Sequence, residues 1–197
     1  MRASSDSDLI IAADGGYNVL SEAGIKPDIL VGDLDSLSLN IIDLMPPDIE
    51  VLRHPREKDF TDAELAVMEA MGRGVDDVLL LGALGGRTDH TLANLALMAA
   101  HPESVRAQAP EGPVRCVTLA QPFRMDLPAG TLVSLSSWAG PVEGVTTSGL
   151  AHTLEDETLE MSGRGVENIA DGPVEVCVRA GALIISVHSQ NPSLLWE

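Results

Sequence analysis

Two aspartates separated by one residue follow a short apolar run near the start of the chain. The run is Ile29-Leu30-Val31, and the acidic segment is Gly32-Asp33-Leu34-Asp35-Ser36. The run is typical of a buried strand, and glycine lets the backbone turn at its end. Ligands of open α/β sheets bind beyond the carboxyl ends of the strands, where paired carboxylates suit a hard cation such as Mg²⁺. A solvated loop or a helix cap would give the same pattern, so this pair alone does not decide.

Other turns along the chain repeat the pattern of an aspartate next to a predicted strand end or helix start. They are Ala13-Asp14-Gly15-Gly16, Thr61-Asp62 and Gly85-Gly86-Arg87-Thr88-Asp89-His90. In a parallel sheet such turns converge on one edge, and clustered carboxylates need a counter-cation, for which Mg²⁺ is suited because it also binds phosphate oxygens. The alternative is that each aspartate only caps its helix, since Asp is favoured at helix N-termini.

Two glycine pairs and one arginine suggest a phosphate ligand. Gly15-Gly16 and Gly85-Gly86 would let backbone N–H groups approach phosphate oxygens at a helix N-terminus, although neither pair forms a Walker A loop or a G-x-G-x-x-G fingerprint. Arg87 is a candidate phosphate clamp in so acidic a chain. Its alternative is a salt bridge to a nearby aspartate, and His90 is interpreted as structural.

The elements that position these turns alternate between strands and helices over residues 1–120. Thr61 and Glu64 fit a capping box that opens one of the helices. This alternation predicts a Rossmann-like parallel sheet with helices on both faces. The predicted strands are Leu9–Ala13, Ile29–Val31, Glu50–Arg53, Val78–Leu81 and Val114–Leu119, and the other predicted helices lie near Tyr17–Ala23 and Asp89–Ala100.

Residues 121–197 have a different character, with short alternating runs separated by turn residues and no amphipathic helix. Ser148-Gly149 and Asp171-Gly172-Pro173 are among the predicted turns. This half predicts a small antiparallel β-sandwich or barrel domain. The runs are Thr131–Ser137, Thr158–Met161, Val174–Arg179 and Leu183–Val187.

The composition disfavours some classes of binding partner. The 197 residues include 12 basic and 30 acidic side chains, a formal charge of −18, which disfavours nucleic acid and anionic membrane as partners. Two distant cysteines predict neither a disulfide scaffold nor a zinc site. The sequence shows no signal peptide and no apolar run long enough to span a bilayer, so a cytoplasmic enzyme is expected.

Taken together, the motifs resemble the thiamine pyrophosphokinase family, bacterial type. The matching stretches run in order along nearly the whole chain: Ala13–Gly16, Gly24–Ser36, Asp59–Ala66, Leu81–Asn94, Gly144–Leu150 and Gly163–Asn168. The resemblance implies a homodimer with an α/β catalytic domain that binds ATP and Mg²⁺, followed by a β-sandwich domain that helps to bind thiamine. It also implies transfer of a pyrophosphoryl group from ATP to the hydroxyethyl oxygen of thiamine, with release of AMP.

The resemblance further implies roles for individual residues. Asp33, Asp35 and Asp62 would hold Mg²⁺. The nucleotide and transfer site would be lined by Asp14, Gly15, Thr61, Gly85, Gly86, Arg87 and Asp89. Arg164 and Asn168 would lie near thiamine. Arg87 would stabilise charge during transfer, and either Asp35 or Asp89 would accept the hydroxyl proton; the sequence does not choose between them.

Two departures from the family pattern keep other functions open. The family places a further strand and glycine-rich turn before the equivalent of Leu9–Ala13, where this sequence has eight mostly polar residues. Gly163 and Glu167 occupy positions where the family motif has serines. The alternatives are a related pyrophosphokinase that acts on another hydroxyalkyl heterocycle, such as a pterin, and a non-catalytic nucleotide- or thiamine-binding regulator.

Overall fold

The structure is a computed structural model that describes residues 9–35, 37 and 45–189. Ser36 and the first eight residues, on which two of the expectations above depend, lie outside that range. The chain divides into two compact units, Met1–Asp76 and Asp77–Glu197, and each is described by itself. No helix in the described ranges is long and apolar enough to cross a membrane.

The first unit contains a parallel three-stranded sheet. Strand β2 is central and buried at each of its residues, as the continuous apolar run predicts for the middle of a parallel sheet. Its neighbours pair with it in parallel register, with Ala13 opposite Val31. The elements are β1 (Ile11–Ala13), α1 (Gly16–Glu22), β2 (Ile29–Gly32), β3 (Glu50–Arg53) and α2 (Asp62–Gly72). The predicted strands and helices of this unit are therefore confirmed.

Helix α2 begins with the predicted capping box. The Thr61 hydroxyl accepts a hydrogen bond from the Glu64 backbone N–H at 3.2 Å, and the Glu64 carboxylate accepts one from the Thr61 N–H at 2.8 Å. Two otherwise unpaired N–H groups are thereby satisfied. The helix packs against β1 and β2 and buries Val67 and Ala70. The capping box thus fixes the start of α2, so that Asp62 is its first residue.

The second unit contains an eight-stranded mixed sheet. The strand order is β4-β5-β6-β11-β8-β10-β7, with β9 paired to β8. Strands β4 and β5 are parallel, whereas β6 pairs antiparallel with β5 and β11, β8 with β11 and β9, and β10 with β7. Strand β10 also pairs with β8, with Glu175 opposite Ser148 and Cys177 opposite Thr146. The elements are β4 (Val78–Leu81), α3 (Thr88–Ala100), β5 (Val105–Ala109), β6 (Gly112–Val117), β7 (Phe123–Met125), β8 (Leu132–Leu150), β9 (Glu157–Leu159), β10 (Asn168–Cys177) and β11 (Ala180–His188).

The fold is therefore mixed α/β, with a parallel sheet and a second, largely antiparallel sheet. The prediction that Val114–Leu119 closes the parallel series is wrong. The corresponding strand β6 pairs antiparallel with β5 through the register Ala109 opposite Gly112, because the two strands form a tight hairpin that the sequence analysis missed. Strand β6 then pairs antiparallel with β11, so it belongs to the sheet built by the second half of the chain.

Two predicted turns of the second half lie inside strands. Ser148-Gly149 falls within the 19-residue strand β8, where Gly149 has φ +70° and a Cβ would lie 1.9 Å from the Pro173 carbonyl oxygen. Here glycine permits a close approach of two backbones rather than a chain reversal. Asp171-Gly172-Pro173 lies in β10, and the register against β8 shifts between Ala170 and Glu175. These residues mark an irregularity in the strand pairing.

Candidate metal centre and nucleotide-binding residues

Three carboxylates meet beyond the carboxyl ends of β1 and β2. Asp14 follows β1, and Asp33 and Asp35 follow β2. One oxygen from each side chain lies within 4.8 Å of the other two. The parallel pairing of β1 with β2 brings these turns together, because both strands end at the same edge.

Asp14 is held in an unusual conformation. Its φ is +41°, in the left-handed region that side chains rarely adopt, and its N–H donates to the Val31 carbonyl at 2.8 Å. Its Oδ1 atom is buried and accepts no hydrogen bond from any described residue. Gly15 occupies the N-cap position of α1, so Asp14 does not cap this helix. The capping alternative therefore fails for Asp14.

The Asp33–Asp35 turn is built by a second residue in the left-handed region, Leu34, with φ +67°. The Asp33 carboxylate accepts the Asp35 N–H at 3.1 Å, and the Leu34 side chain is buried in the core of the first unit. Arg56 lies 3.7 Å from the Asp35 carboxylate, but the Arg56 side chain is largely exposed and that of Asp35 is half exposed. The turn thus presents two carboxylates on one side while its apolar residue anchors it on the other.

Gly32 leaves the space in which the acidic side chains approach one another. Its φ is +148°, and a methyl group at this position would lie 3.0 Å from Asp14 Cβ and 3.0 Å from Asp62 Oδ1. Asp62 therefore borders the acidic cluster, although it is not one of the three residues whose oxygens lie mutually within 4.8 Å.

Asp62 is instead paired with Lys58. The Lys58 ammonium lies 2.7 Å from Asp62 Oδ1, and the side chains are 13% and 26% exposed. Sequence analysis missed Lys58, although its spacing of four residues from Asp62 was a usable signal. Of the three predicted metal ligands, Asp33 and Asp35 belong to the close group of carboxylates and Asp62 lies beside it. The third member of the group is Asp14.

The glycine-rich loop of the second unit leads into α3. Gly85 has φ +94°, and a Cβ at Gly85 or Gly86 would meet nothing within 4 Å among the described residues. Asn94, buried in α3, donates from its amide to the Ala83 carbonyl at 2.8 Å. This bond fixes one side of the loop while its glycines stay open to solvent.

Arg87 and Asp89 form a two-pronged ion pair at the start of α3. Arg87 Nε and Nη2 donate to the Asp89 carboxylate at 3.1 and 2.6 Å, and the His90 N–H donates to it at 3.0 Å. The Arg87 bond is the main reason that the pKa of Asp89 falls to about 2. The salt-bridge alternative for Arg87 is thus realised. Both side chains remain largely exposed and accessible to a ligand.

The residues predicted for the acceptor lie on the β-rich part of the second unit. Arg164 is ion-paired with Glu157 and half exposed. Asn168 is buried; its amide donates to the His152 carbonyl at 2.7 Å and its oxygen accepts the His152 N–H at 3.0 Å. Asn168 therefore fastens the chain around His152 to β10, which is a structural role.

The comparisons with known proteins identify the family. A family model described as "Thiamin pyrophosphokinase, catalytic domain" matches residues 1–108, more than half of the chain. The chain belongs to the thiamin pyrophosphokinase family. Both the acidic cluster and the Arg87–Asp89 pair lie within the match, whereas Arg164 and Asn168 lie beyond it.

Curated relatives in this family match over part of their length. A thiamine pyrophosphokinase of Bacillus subtilis is 37% identical over 93 residues, which are 46% of this chain and 42% of the relative. Thiamine pyrophosphokinase 1 of Arabidopsis thaliana is 28% identical over 86 residues, 40% of this chain and 32% of the relative. The matched region thus spans less than half of either relative.

Solved structures from the family share the fold. A thiamin pyrophosphokinase family protein from Enterococcus faecalis superposes with a TM-score of 0.84 at 24% identity, covering 97% of this chain and 92% of that one. The thiamine pyrophosphokinase of Bacillus subtilis gives a TM-score of 0.82 at 22% identity, covering 94% and 90%. The mixed α/β fold is therefore the fold of this family.

Proposed function

We propose that this chain transfers the pyrophosphoryl group of ATP to the hydroxyethyl oxygen of thiamine and releases AMP. The observation that carries this proposal is the group of Asp14, Asp33 and Asp35, which lies inside the region matched by the catalytic family model. The thiamine pyrophosphokinase names of the matched relatives provide the substrate class. Under this proposal both nucleotide and acceptor are small molecules.

The acidic cluster fits Mg²⁺ on the chemistry of its donors. Three carboxylates lie close enough to share one cation, and the buried Asp14 Oδ1 has no hydrogen-bond donor in the described structure. Hard oxygen donors are those that Mg²⁺ prefers. We propose that Asp14, Asp33 and Asp35 hold the ion with Asp62 beside them. Bound Mg²⁺ would neutralise and orient the phosphate oxygens of ATP.

Arg87 and Asp89 receive different roles. Arg87 carries the guanidinium that would bind a phosphate and stabilise the charge of the departing AMP. Asp89, with a pKa of about 2, is a weak proton acceptor near neutral pH and would orient Arg87. Asp35 and Asp89 both stay candidates for accepting the hydroxyl proton, because Asp35 would itself be bound to the metal and so would also be a weak base.

The glycines and Thr61 complete the proposed nucleotide site. Backbone N–H groups of Gly15, Gly85 and Gly86 are proposed phosphate donors, and the open space around Gly85 and Gly86 supports this for the second pair. The Thr61 hydroxyl already accepts the capping bond from Glu64, so its main contribution would be to fix α2 and hence Asp62.

The acceptor side is proposed to lie in the second half of the chain. The predicted domains are a catalytic domain over residues 1–120 and a thiamine-binding domain over 121–197; the family model ends at residue 108, whereas the compact units divide the chain between Asp76 and Asp77. Arg164 is the proposed contact to thiamine, and Asn168 would support the pocket through the His152 segment. The homodimer, the cytoplasmic location, the Rossmann-like classification and the β-sandwich remain predictions.

Release of AMP from ATP and Mg²⁺, measured with and without thiamine, tests the proposal. We expect AMP to form only with thiamine and Asp33→Asn to abolish its formation while circular dichroism stays unchanged. Asp76→Asn, an exposed change of equal charge, provides the matched control and should retain activity. AMP formed only with a pterin alcohol would favour the alternative acceptor. Nucleotide binding with no turnover on either acceptor would favour a regulator.

A further inference from the structure

Lys58 is an unusually sheltered cation beside the acidic cluster. Its side chain is 13% exposed, the lowest value among the basic partners of the ion pairs found in the described residues. Its ammonium contacts the Asp62 oxygen that faces Gly32. Shielding a lysine in this way removes water from a strongly hydrated ammonium and restricts a flexible side chain.

Stabilisation of helix α2 does not account for this arrangement. Lys58 lies three residues before the N-cap Thr61, at the positive end of the helix dipole, where a cation is unfavourable. The capping box already satisfies the helix N-terminus without Lys58. The ammonium is therefore better explained by its partner Asp62, whose Oδ1 borders the carboxylates that are predicted to face a polyphosphate.

We propose that Lys58 is a positioning residue that exchanges partners when a magnesium-bound nucleoside triphosphate binds. In the ligand-free protein its ammonium holds Asp62 Oδ1 and offsets part of the repulsion among the neighbouring carboxylates. With the nucleotide bound, the ammonium moves to a phosphate oxygen and releases Asp62 toward the metal. This inference rests on the proposed function, because it takes the nucleotide site to be next to Asp14, Asp33 and Asp35.

The exchange predicts shifts of opposite sign for two ligands. Removal of the ammonium takes away a competitor for Asp62 and a like charge beside the metal site, so Mg²⁺ alone should bind about two- to fivefold more tightly. The same removal takes away a charge-assisted bond to phosphate, so the nucleotide should bind about tenfold or more weakly. A lysine with a purely structural role would not produce opposite shifts.

Calorimetric titrations on the full chain test this proposal without requiring turnover. Each protein is titrated with MgCl₂ alone and, separately, with a non-hydrolysable α,β-methylene ATP analogue in saturating Mg²⁺. Lys58→Met should show the two opposite shifts, while Lys58→Arg should keep analogue binding within about threefold of wild type, because it retains the charge. Lys26→Met removes a lysine from an exposed ion pair with Asp48 in the same unit and should change neither affinity.

The outcomes separate this proposal from the proposed function. If wild type does not bind the analogue, the nucleotide site itself is refuted. If wild type binds it and Lys58→Met binds both ligands as wild type does, or loses both affinities together, the exchange is refuted and the proposed function stands. Should Lys58→Met fail to fold, Lys58→Gln, which keeps a donor but not the charge, must show the same opposite shifts.

Discussion

Replacement of Asp14 by asparagine tests whether the acidic cluster is built for a cation. Asparagine has nearly the same shape and tolerates the left-handed backbone, so the φ of +41° can be kept while one charge is removed. The oxygens of Asp14, Asp33 and Asp35 lie within 4.8 Å of one another. At that distance each pair of charges repels by about 1 kcal/mol in water and by about 3 kcal/mol at an effective dielectric constant of 20.

The substitution removes two of these repulsive pairs. Because Asp35 is half exposed, the lower value per pair applies best, and we expect the free energy of unfolding without Mg²⁺ to rise by about 1–3 kcal/mol. Mg²⁺ should then offset most of this difference in stability. Wild type would gain about 2.7 kcal/mol at a Mg²⁺ concentration of a hundred times the Kd, and the variant would lose most of that gain.

Urea denaturation in EDTA and in Mg²⁺ measures both quantities. Asp76→Asn changes the net charge equally at an exposed position and should follow wild type in both buffers. A variant at Asp14 that is less stable than wild type in EDTA, or that keeps the full Mg²⁺ stabilisation, would show that the cluster is not a strained cation site.

Three further predictions concern other parts of the molecule. Gly32→Ala should lower the free energy of unfolding by about 1–3 kcal/mol and weaken Mg²⁺ binding, because its methyl group meets two acidic side chains at a positive φ; urea denaturation and calorimetry measure these effects. Arg87→Met should raise the pKa of Asp89 from about 2 toward its ordinary 3.8, followed by NMR titration. Because the native pKa is the lower one, the pair stabilises the fold above pH 3.8, and this stabilisation disappears as the pH falls through about 2. Burial raises the pKa of Cys116 to about 11, so at pH 8 a thiol reagent should label exposed Cys177 and spare Cys116, as single-cysteine variants would show.

The sequence was most informative where short-range signals act alone. The apolar run at Ile29–Val31 and the capping box at Thr61 depend on neighbouring residues, and the strand and the cap are both found as predicted. The grouping of Asp33 with Asp35 follows from the same logic, because one strand end carries both side chains.

Contacts between residues that are far apart in the sequence could not be predicted. Gly149 has the composition of a turn, yet it lies inside β8 because a backbone from β10 passes close to it. Likewise, the partner of Lys58 could be guessed from spacing, but its shelter beside the cluster depends on the packing of α2 against β1 and β2. Such contacts are set by the tertiary fold and leave little trace in local composition.

The strain at the acidic cluster indicates that its geometry is fixed before any ligand arrives. Asp14 and Leu34 both adopt left-handed backbones, at about 1–2 kcal/mol each, and one buried oxygen of Asp14 has no donor among the residues that the structure describes. An aspartate that only capped a helix in solvent would relax to an unstrained backbone. Here the Asp14 N–H is tied to the Val31 carbonyl and Leu34 is locked in the core, so the sheet and core hold the carboxylates together against their repulsion. A cation that binds them would meet a preformed site and would relieve repulsion already present in the free protein, which favours a metal role over helix capping.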